Sequence, residues 1–295
     1  MRVFVTGATG FIGSAIVAEL LRAGHQVLGL TRSDAGAQAL AAAGAEVHRG
    51  DLEDPDSLRR GAARAEGVIH CAFDHDFANF AANCEKDQRA IEALGAALAG
   101  TDHPLIVTSG VGMGQAVPGQ LATEDAFDAE GPNPRKLSEL AAAAVAASGV
   151  NVSVMRLPQV HDVNRHGLVS YLIALAREKG VSAWVDEGHN RFSAVHVLDA
   201  ARLYRLALER RESGARYHAV AEEGVALRDI AQVIGQGLKV PAVSLPADEA
   251  AAHFGWLAMF AGVDLAASGT WTRQHLGWEP HGPGMLTDLA GHFAA

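Results

Sequence analysis

The stretch TGATGFIG, residues 6–13, decides the expected fold of this 295-residue chain. It follows an apolar run that predicts a β-strand and precedes a segment whose apolar spacing predicts a helix. Gly7 permits the tight exit from the strand, Gly10 lets an anion approach the backbone, and Gly13 lets the helix pack on the sheet. The order of strand, glycine turn and helix predicts a dinucleotide-binding site, although the spacing is G-x-x-G-x-x-G rather than G-x-G-x-x-G. The alternative is that these glycines serve only the turn.

The first half of the chain alternates short apolar runs with longer segments rich in Ala and Leu. This rhythm is typical of βαβ units around a parallel sheet that is buried on both faces. Strands are predicted over residues 2–6, 26–30, 45–48, 67–71, 105–109 and 151–156. Helices are predicted over residues 11–23, 35–43, 55–61, 76–99, 134–147, 167–178 and 197–209. We therefore predict an α/β, doubly wound Rossmann fold of about seven parallel strands with a smaller C-terminal substrate domain.

The expected domain boundary follows the sixth predicted strand. Residues 1–156 are predicted to form the dinucleotide-binding domain, and later segments around residues 181–210 are predicted to return to it. Residues 157–295 then form mainly the substrate-binding region. No internal repeat is present, and the Ala clusters are those of helix formers.

Composition narrows the class of partner. A net charge of −10 and a pI of about 5.7 argue against nucleic acid and membrane partners, because both are bound through clustered Lys and Arg. Cys71 and Cys84 are the only cysteines, so the sequence has no disulfide framework. No early segment has the pattern of a signal peptide, and no apolar run is long enough to span a bilayer. We expect a soluble, cytoplasmic protein that binds small molecules.

The end of the second predicted strand indicates which dinucleotide is bound. In place of the usual Asp or Glu that holds a ribose 2′-hydroxyl, the sequence has Thr31, Arg32 and Ser33. Arg32 is suited to pair with a 2′-phosphate, so NADP (NADPH) is favoured over NAD, unless Arg32 is only solvated. Asp51 is placed to border the adenine or, equally, to begin the next helix. The residues expected to contact the cofactor are Thr6, Gly7, Thr9, Gly10, Phe11, Ile12, Gly13, Thr31, Arg32, Ser33, Asp51, Leu52, Cys71, Ala72 and Phe73.

Further segments carry a family resemblance. Together with the glycine motif, residues 107–110 (VTSG), 156–158 (RLP) and 195–201 (VHVLDAA) resemble the extended and atypical short-chain dehydrogenases/reductases, which include the NAD-dependent epimerase/dehydratases. The resemblance covers nearly the whole chain and implies the Rossmann fold and a nicotinamide cofactor. It adds Leu157 and Pro158 to the expected cofactor contacts. Because members often pair through helices that flank the sheet, a homodimer is a further expectation.

The same resemblance points to a departure in the catalytic residues. Family members use a Ser or Thr at the end of the fifth strand to polarise the substrate carbonyl, and a Tyr-x-x-x-Lys pair on the next helix to supply the proton. Ser109 matches the serine. Aligning Ser138 with the serine that commonly follows the tyrosine puts Arg135 at the tyrosine position and Glu139 at the lysine position. Lys136 is one residue off, about 100° around the helix. Arg135 cannot donate a proton at neutral pH, but it could stabilise an oxyanion or hold a carboxylate.

Other polar residues are weaker candidates. His161 and His166, in the loop after the sixth strand, could donate a proton or contact substrate, or could be solvated or capping residues. Arg191 lies where extended family members place an Arg against an anionic substrate group, and a surface salt bridge is the alternative. His196 and Asp199 lack a third ligand at short spacing, so we expect a structural hydrogen-bonded pair and no metal.

These observations predict an NADP(H)-dependent oxidoreductase of atypical short-chain dehydrogenase type that acts on a small carbonyl or alcohol. Ser109 would orient the substrate oxygen, and the proton would come from water or a loop histidine. A non-catalytic NADP(H)-binding sensor or scaffold is the alternative, because the tyrosine and the lysine are both missing. An epimerase or isomerase is a weaker third possibility, since that chemistry usually needs the tyrosine.

Overall fold

The computed structural model describes residues 1–117 and 119–294. The strands are β1 (Arg2–Thr6), β2 (Gln26–Thr31), β3 (Glu46–Arg49), β4 (Gly67–His70), β5 (Leu105–Gly110), β6 (Val152–Leu157), β7 (Gln159–His161), β8 (Ser182–Val185), β9 (Arg191–His196), β10 (Arg216–His218), β11 (Glu222–Ala226) and β12 (Ala242–Leu245). The helices are α1 (Phe11–Arg22), α2 (Asp34–Ala42), α3 (Pro55–Ala62), α4 (Phe80–Leu98), α5 (Lys136–Ala147), α6 (Val169–Lys179), α7 (Val197–Arg210), α8 (Leu227–Leu238), α9 (Ala247–Phe254), α10 (Ala258–Ala261), α11 (Thr270–Leu276) and α12 (Met285–Ala294).

Seven strands form one parallel sheet in the order β10-β6-β5-β4-β1-β2-β3. The strand order reverses between β1 and β4, because the chain builds outward to β3 on one side and to β10 on the other. Ligands of such sheets bind at the carboxyl ends of the strands beside this reversal. The predicted α/β, doubly wound Rossmann fold is confirmed.

Side chains of β1 show how both faces of the sheet are covered. Val3 and Val5 pack in one hydrophobic layer with Ile16 of α1, whereas Phe4 packs in the opposite layer with Leu58 of α3. Successive side chains of a strand point to opposite faces, so a continuous apolar run supplies both layers. The uninterrupted apolar character of the first strand is thereby explained.

Helices α4, α5 and α6 begin later than the sequence suggested, and in the first two a polar side chain explains the delay. The carboxylate of Asp76 accepts a hydrogen bond from the Ala78 N–H at 3.1 Å and starts a short 3₁₀ turn, so α4 begins only at Phe80. The side-chain oxygen of Asn133 accepts from the Arg135 N–H at 3.0 Å, which delays the start of α5 to Lys136. In both places a polar side chain competes with the helix for a backbone N–H.

The remaining strands form a three-stranded sheet, β11-β9-β7, and a two-stranded sheet, β12-β8. They share a second core with α6 and α8, in which Phe192, Leu227 and Ile230 are buried. Helix α7 packs instead on the large sheet, and β10 joins the edge of that sheet. None of the helices in the described part of the chain combines the length and hydropathy that a membrane crossing needs.

Candidate functional site

A cleft of about 1120 Å³ opens at the carboxyl ends of the strands around the reversal between β1 and β4. Single-ligand pockets usually enclose about 300–1,000 Å³, so this cleft has room for a large cofactor beside a small second molecule. All of the predicted cofactor-contacting residues except Thr6 line it, as do Ser109 and Arg135. The sequence therefore placed most of its candidates at one site.

The glycine turn forms a floor that side chains would fill. Gly7 has a φ of +67°, and a Cβ at Gly7 would lie 2.8 Å from the backbone nitrogen of Ala72. A Cβ at Gly13 would lie 1.9 Å from the carbonyl oxygen of Gly7. Gly10 precedes α1 without a side-chain cap, and the first turn has no acidic residue. Uncapped N–H groups at a helix start bind anions, so this turn fits a dinucleotide diphosphate.

Thr6 was expected to contact the cofactor but lies beneath the cleft, fully buried. Its hydroxyl oxygen accepts hydrogen bonds from the N–H groups of Cys71 and Ala72, both at 3.2 Å. It also lies 2.8 Å from Nδ1 of His70, whose Nε2 lies 3.0 Å from Asp87. Thr6 therefore joins the ends of β1 and β4 and positions the backbone that borders the glycine turn.

Arg135 lies at the edge of the cleft, directly before α5, and its guanidinium donates to Asp87, Thr108 and Ser138. Its Nη1 donates to Asp87 at 2.7 Å and its Nη2 donates to the Thr108 carbonyl at 2.8 Å. The guanidinium also stacks 4.1 Å from the centre of the Phe73 ring. Burial by itself would raise the pKa of Asp87, but Arg135 and His70 outweigh it and hold that pKa well below its usual range. These contacts hold the guanidinium in place at the edge of the cleft.

Ser109 lies near the end of β5. Its hydroxyl is buried and has no hydrogen-bond partner among the described residues. A buried polar group without a hydrogen-bond partner destabilises the folded state by about 1–3 kcal/mol. A ligand in the cleft could supply the partner that Ser109 lacks. The neighbouring Thr108 differs, because its hydroxyl is bonded to Tyr204 at 2.6 Å. Burial raises the pKa of the nearby Cys71 thiol to about 11, so this thiol is protonated at neutral pH.

The position expected for the family lysine holds a carboxylate that does not line the cleft. Glu139 is fully buried and pairs with Arg156 at 2.8 Å and with Arg216 at 3.1 Å. Lys136 is also absent from the lining. Within the described residues, Lys136 therefore does not place its ammonium group in the cleft, and Glu139 has none to offer.

At the end of the cleft where the adenosine is expected, Arg32 and Asp51 form a long, exposed ion pair. Arg32 is 82% exposed, and its Nη1 lies 3.5 Å from the carboxylate of Asp51. Asp51 was expected either to border the cofactor or to cap α3, and the structure assigns the cap to Asp54, which accepts from the N–H groups of Asp56 and Ser57. A contact as long and as exposed as that between Arg32 and Asp51 is easily exchanged for a phosphate.

Three predicted substrate or catalytic residues lie outside the lining. His161 is buried, with Nδ1 2.7 Å from Asp288 of α12, and His166 is buried without a partner among the described residues. Their expected position facing the cleft is wrong, because β7 pairs with β9 and carries these side chains toward α12. Arg191 forms a two-point salt bridge with Asp264, at 2.7 and 3.2 Å, which is the alternative that the sequence left open.

His196 and Asp199 each have a structural partner of their own rather than bonding to each other. His196 caps α7 through the Leu198 N–H at 3.3 Å, and Asp199 accepts from the Gly282 N–H at 2.6 Å. Over residues 1–117 and 119–294, no group of three or more His, Cys, Asp or Glu is arranged to hold a metal ion.

One part of the cleft lining is aromatic and was not predicted from the sequence. Phe77, Phe80, Tyr171 and Phe260 all border the cleft, although they come from separate segments of the chain. Only the spacing of two phenylalanines in HDFANF, residues 75–80, a few residues after β4, could have pointed to them.

Comparisons with known proteins agree with this geometry. The pattern of the NAD dependent epimerase/dehydratase family matches residues 3–221. A protein of Schizosaccharomyces pombe, described only as uncharacterized, is 47% identical over 98% of each chain. A Saccharomyces cerevisiae protein with the same description is 41% identical over 100% of this chain and 99% of its own. The structure of Thermus thermophilus UDP-glucose 4-epimerase in complex with NAD covers 100% of this chain and 99% of that one. It superposes with a TM-score of 0.77 at 20% identity, which shows a shared fold.

Proposed function

The chain belongs to the NAD dependent epimerase/dehydratase family, and from that premise we propose that it is an NADP(H)-dependent oxidoreductase. Its substrate would be a small carbonyl compound or the corresponding alcohol, and its chemistry would proceed without a Tyr-x-x-x-Lys pair. The observation that carries this proposal is the unpartnered, buried hydroxyl of Ser109 in the same cleft as the glycine turn.

The residues that would hold the cofactor follow from the cleft. Backbone N–H groups at the start of α1 would bind the diphosphate, which Gly7 and Gly10 allow to come close. Arg32 would exchange its weak contact with Asp51 for a 2′-phosphate, which favours NADP(H). When bound, the nicotinamide supplies or accepts the hydride.

Ser109 and Arg135 would act on the substrate oxygen. The Ser109 hydroxyl would donate to the carbonyl oxygen, and the positive charge of Arg135 would stabilise the negative charge that develops there on reduction. A guanidinium has five N–H groups, and three of those of Arg135 are committed to Asp87, Ser138 and Thr108, which leaves two. Because Arg135 keeps its proton, each alkoxide would be protonated by water in the cleft.

The test is NADPH consumption, followed by nicotinamide absorbance, over a panel of carbonyl compounds. The Ser109→Ala variant should lose about 100- to 1,000-fold in kcat/KM, as expected for removal of one donor to a developing oxyanion, with NADPH affinity unchanged within about twofold. Ser153→Ala is the matched control, since Ser153 is a buried serine on the adjacent strand and outside the cleft. Full activity of Ser109→Ala would refute the assigned role, and no turnover over the whole panel would refute the reaction.

A non-catalytic NADP(H)-binding sensor or scaffold is the second candidate. The ion pairs of Glu139 with Arg156 and Arg216 favour it, because a carboxylate occupies the position expected for the family lysine and lies outside the cleft. A sensor would leave bound NADPH unconsumed across the panel while the cofactor changed the association state, as measured by sedimentation.

We also propose a cytoplasmic location, since the free thiols of Cys71 and Cys84 suit a reducing compartment. The expected partners remain small-molecule substrates and a second copy of the chain. A homodimer would use the flanking helices α4 and α5, which pack together through Gly95 and Val145 and would form one face.

A further inference from the structure

The cleft ends in a group of aromatic rings, which we call the aromatic wall: Phe77, Phe80, Tyr171 and Phe260, backed by Trp256. Phe77 lies at its centre. Its ring stacks on Trp256 at 4.6 Å and 11°, and it makes edge contacts with Tyr171 at 6.1 Å and with Phe260 at 5.9 Å. The wall is continuous with Phe73, whose ring lies 6.2 Å from that of Phe80 and carries Arg135 on its face. Flat apolar surface therefore extends up to the guanidinium.

The wall is only partly covered by the protein itself. Tyr171 lines the cleft and is 40% exposed, although its ring contacts that of Trp256. Large aromatic side chains that stay open inside a concave site gain most from a ligand ring that stacks on them. Phe77 and Phe80 are half-buried, which leaves ring surface facing the cleft.

Positive charges near the wall are neutralised by partners. Lys86 pairs with Glu53 at 2.7 Å and with Asp74 at 2.9 Å, and Arg135 pairs with Asp87. Arg165 lines the cleft without an ion pair in the described part of the chain, but its guanidinium lies 5.8 Å from the Phe11 ring, at the glycine turn. The uncommitted cation thus stands beside the expected cofactor diphosphate rather than at the wall.

The salt bridge of Arg191 removes another possible phosphate contact. The Nε and Nη2 groups of Arg191 donate to Asp264, and the residue does not line the cleft. A nucleotide sugar brings a second diphosphate, which needs cationic or N–H partners when it leaves water. The substrate end offers aromatic surface and one oxyanion contact pair, Ser109 and Arg135.

We propose that this site takes a flat, uncharged aromatic carbonyl compound, an aryl aldehyde or aryl ketone, rather than a nucleotide sugar; this rests on the proposed function. The ring would stack along Phe77 and Phe80, and its carbonyl oxygen would lie between Ser109 and Arg135. Reduction converts the C=O group to a C–H and O–H pair, with the hydride from NADPH and the proton from water.

The experiment compares benzaldehyde with heptanal, which has the same number of carbons but no ring, at saturating NADPH. Benzaldehyde should have the higher kcat/KM by at least about 10-fold. Phe77→Leu keeps apolar volume but removes the ring, so it should lower kcat/KM for benzaldehyde about 10-fold and change that for heptanal less than about twofold. Phe127→Leu is the control, because Phe127 is a partly exposed phenylalanine outside the cleft. Preference for heptanal, or an unchanged ratio in Phe77→Leu, would overturn the inference.

A binding measurement separates this inference from the proposed reaction. Calorimetric titration of benzaldehyde into protein saturated with NADP⁺ measures the site without turnover. Saturable binding that Phe77→Leu weakens and UDP-glucose fails to displace supports an aromatic site even if no aldehyde is reduced. Displacement by UDP-glucose at comparable affinity, or absence of benzaldehyde binding beside active turnover of heptanal, contradicts the aromatic site and leaves the oxidoreductase proposal standing.

Discussion

At the scale of single residues, Arg135 is the side chain on which the proposed chemistry depends. Its charge should matter more than its shape, so Arg135→Gln should lower kcat by about 100- to 1,000-fold, and Arg135→Lys should restore part of the loss. NADPH affinity, measured by fluorescence titration, should stay within about twofold in both. If Arg135 had only a structural role, Arg135→Gln and Arg135→Lys would differ in melting temperature but would have the same kcat.

Substitution of Arg135 also leaves the buried Asp87 carboxylate without its arginine partner. Loss of one partner of a buried ion pair costs about 3–5 kcal/mol, so folding of Arg135→Gln must be verified by circular dichroism before its kinetics are interpreted. Asp87 stands 48 residues from Arg135 in the chain. Motif alignment predicted the position of Arg135, but no local pattern pointed to Asp87 as its partner, because only the packing of α4 against α5 brings them together.

At the scale of elements, a buried cluster fastens α5, β6 and β10. Arg156 donates to Glu139 at 2.8 Å and to Nε2 of His218 at 3.2 Å, while Nδ1 of His218 donates to the Ser268 carbonyl at 2.8 Å. Burial and the Arg156 guanidinium lower the pKa of His218 to about 3 from its ordinary 6.5. The folded chain therefore keeps this imidazole neutral, and a lysine at position 139 would lie beside the two arginines that pair with Glu139.

This cluster makes stability depend on pH. Below pH 6.5 His218 is protonated in the unfolded chain, whereas in the folded chain it is protonated only near pH 3. The free energy of unfolding therefore falls as the pH is lowered through this window. His218 alone should cost about 2 kcal/mol between pH 7 and pH 5. Urea unfolding at the two pH values should show this loss in the native chain and a smaller one in His218→Gln. His189→Gln, at an exposed position, should keep the native slope, and an unchanged slope in His218→Gln would contradict the assignment.

Elements with strong local signals were predicted from the sequence, whereas short ones were not. The first six strands of the large sheet lie within one or two residues of expectation, and all of them except β3 are near-continuous apolar runs. The seventh, β10, has only three residues, and its pairing with β6 is set by tertiary contacts. The same limit applies to β7, whose pairing with β9 carries His161 toward α12.

At the scale of the whole molecule, the site joins two structural layers. The large sheet supplies the glycine turn, Arg32 and Ser109, which the sequence placed at the cleft because they lie at or just after the carboxyl ends of strands. The smaller region supplies Tyr171 and Phe260, whose positions depend on how its helices fold over the sheet. The part of the cleft that follows a local motif could therefore be predicted from the sequence. The part that long-range packing creates could not.

The central claim is that the glycine turn and Arg32 bind a phosphorylated nicotinamide dinucleotide. The most direct measurement is titration of the protein with NADPH and NADH, followed by nicotinamide fluorescence, for the native chain and for Arg32→Ala. Arg22→Ala serves as control, since Arg22 is an exposed arginine at the far end of α1. We predict that NADPH binds at least about 10-fold more tightly than NADH, and that Arg32→Ala removes this difference by weakening NADPH alone. Binding of neither dinucleotide, or an equal preference that Arg32→Ala leaves unchanged, would contradict the account.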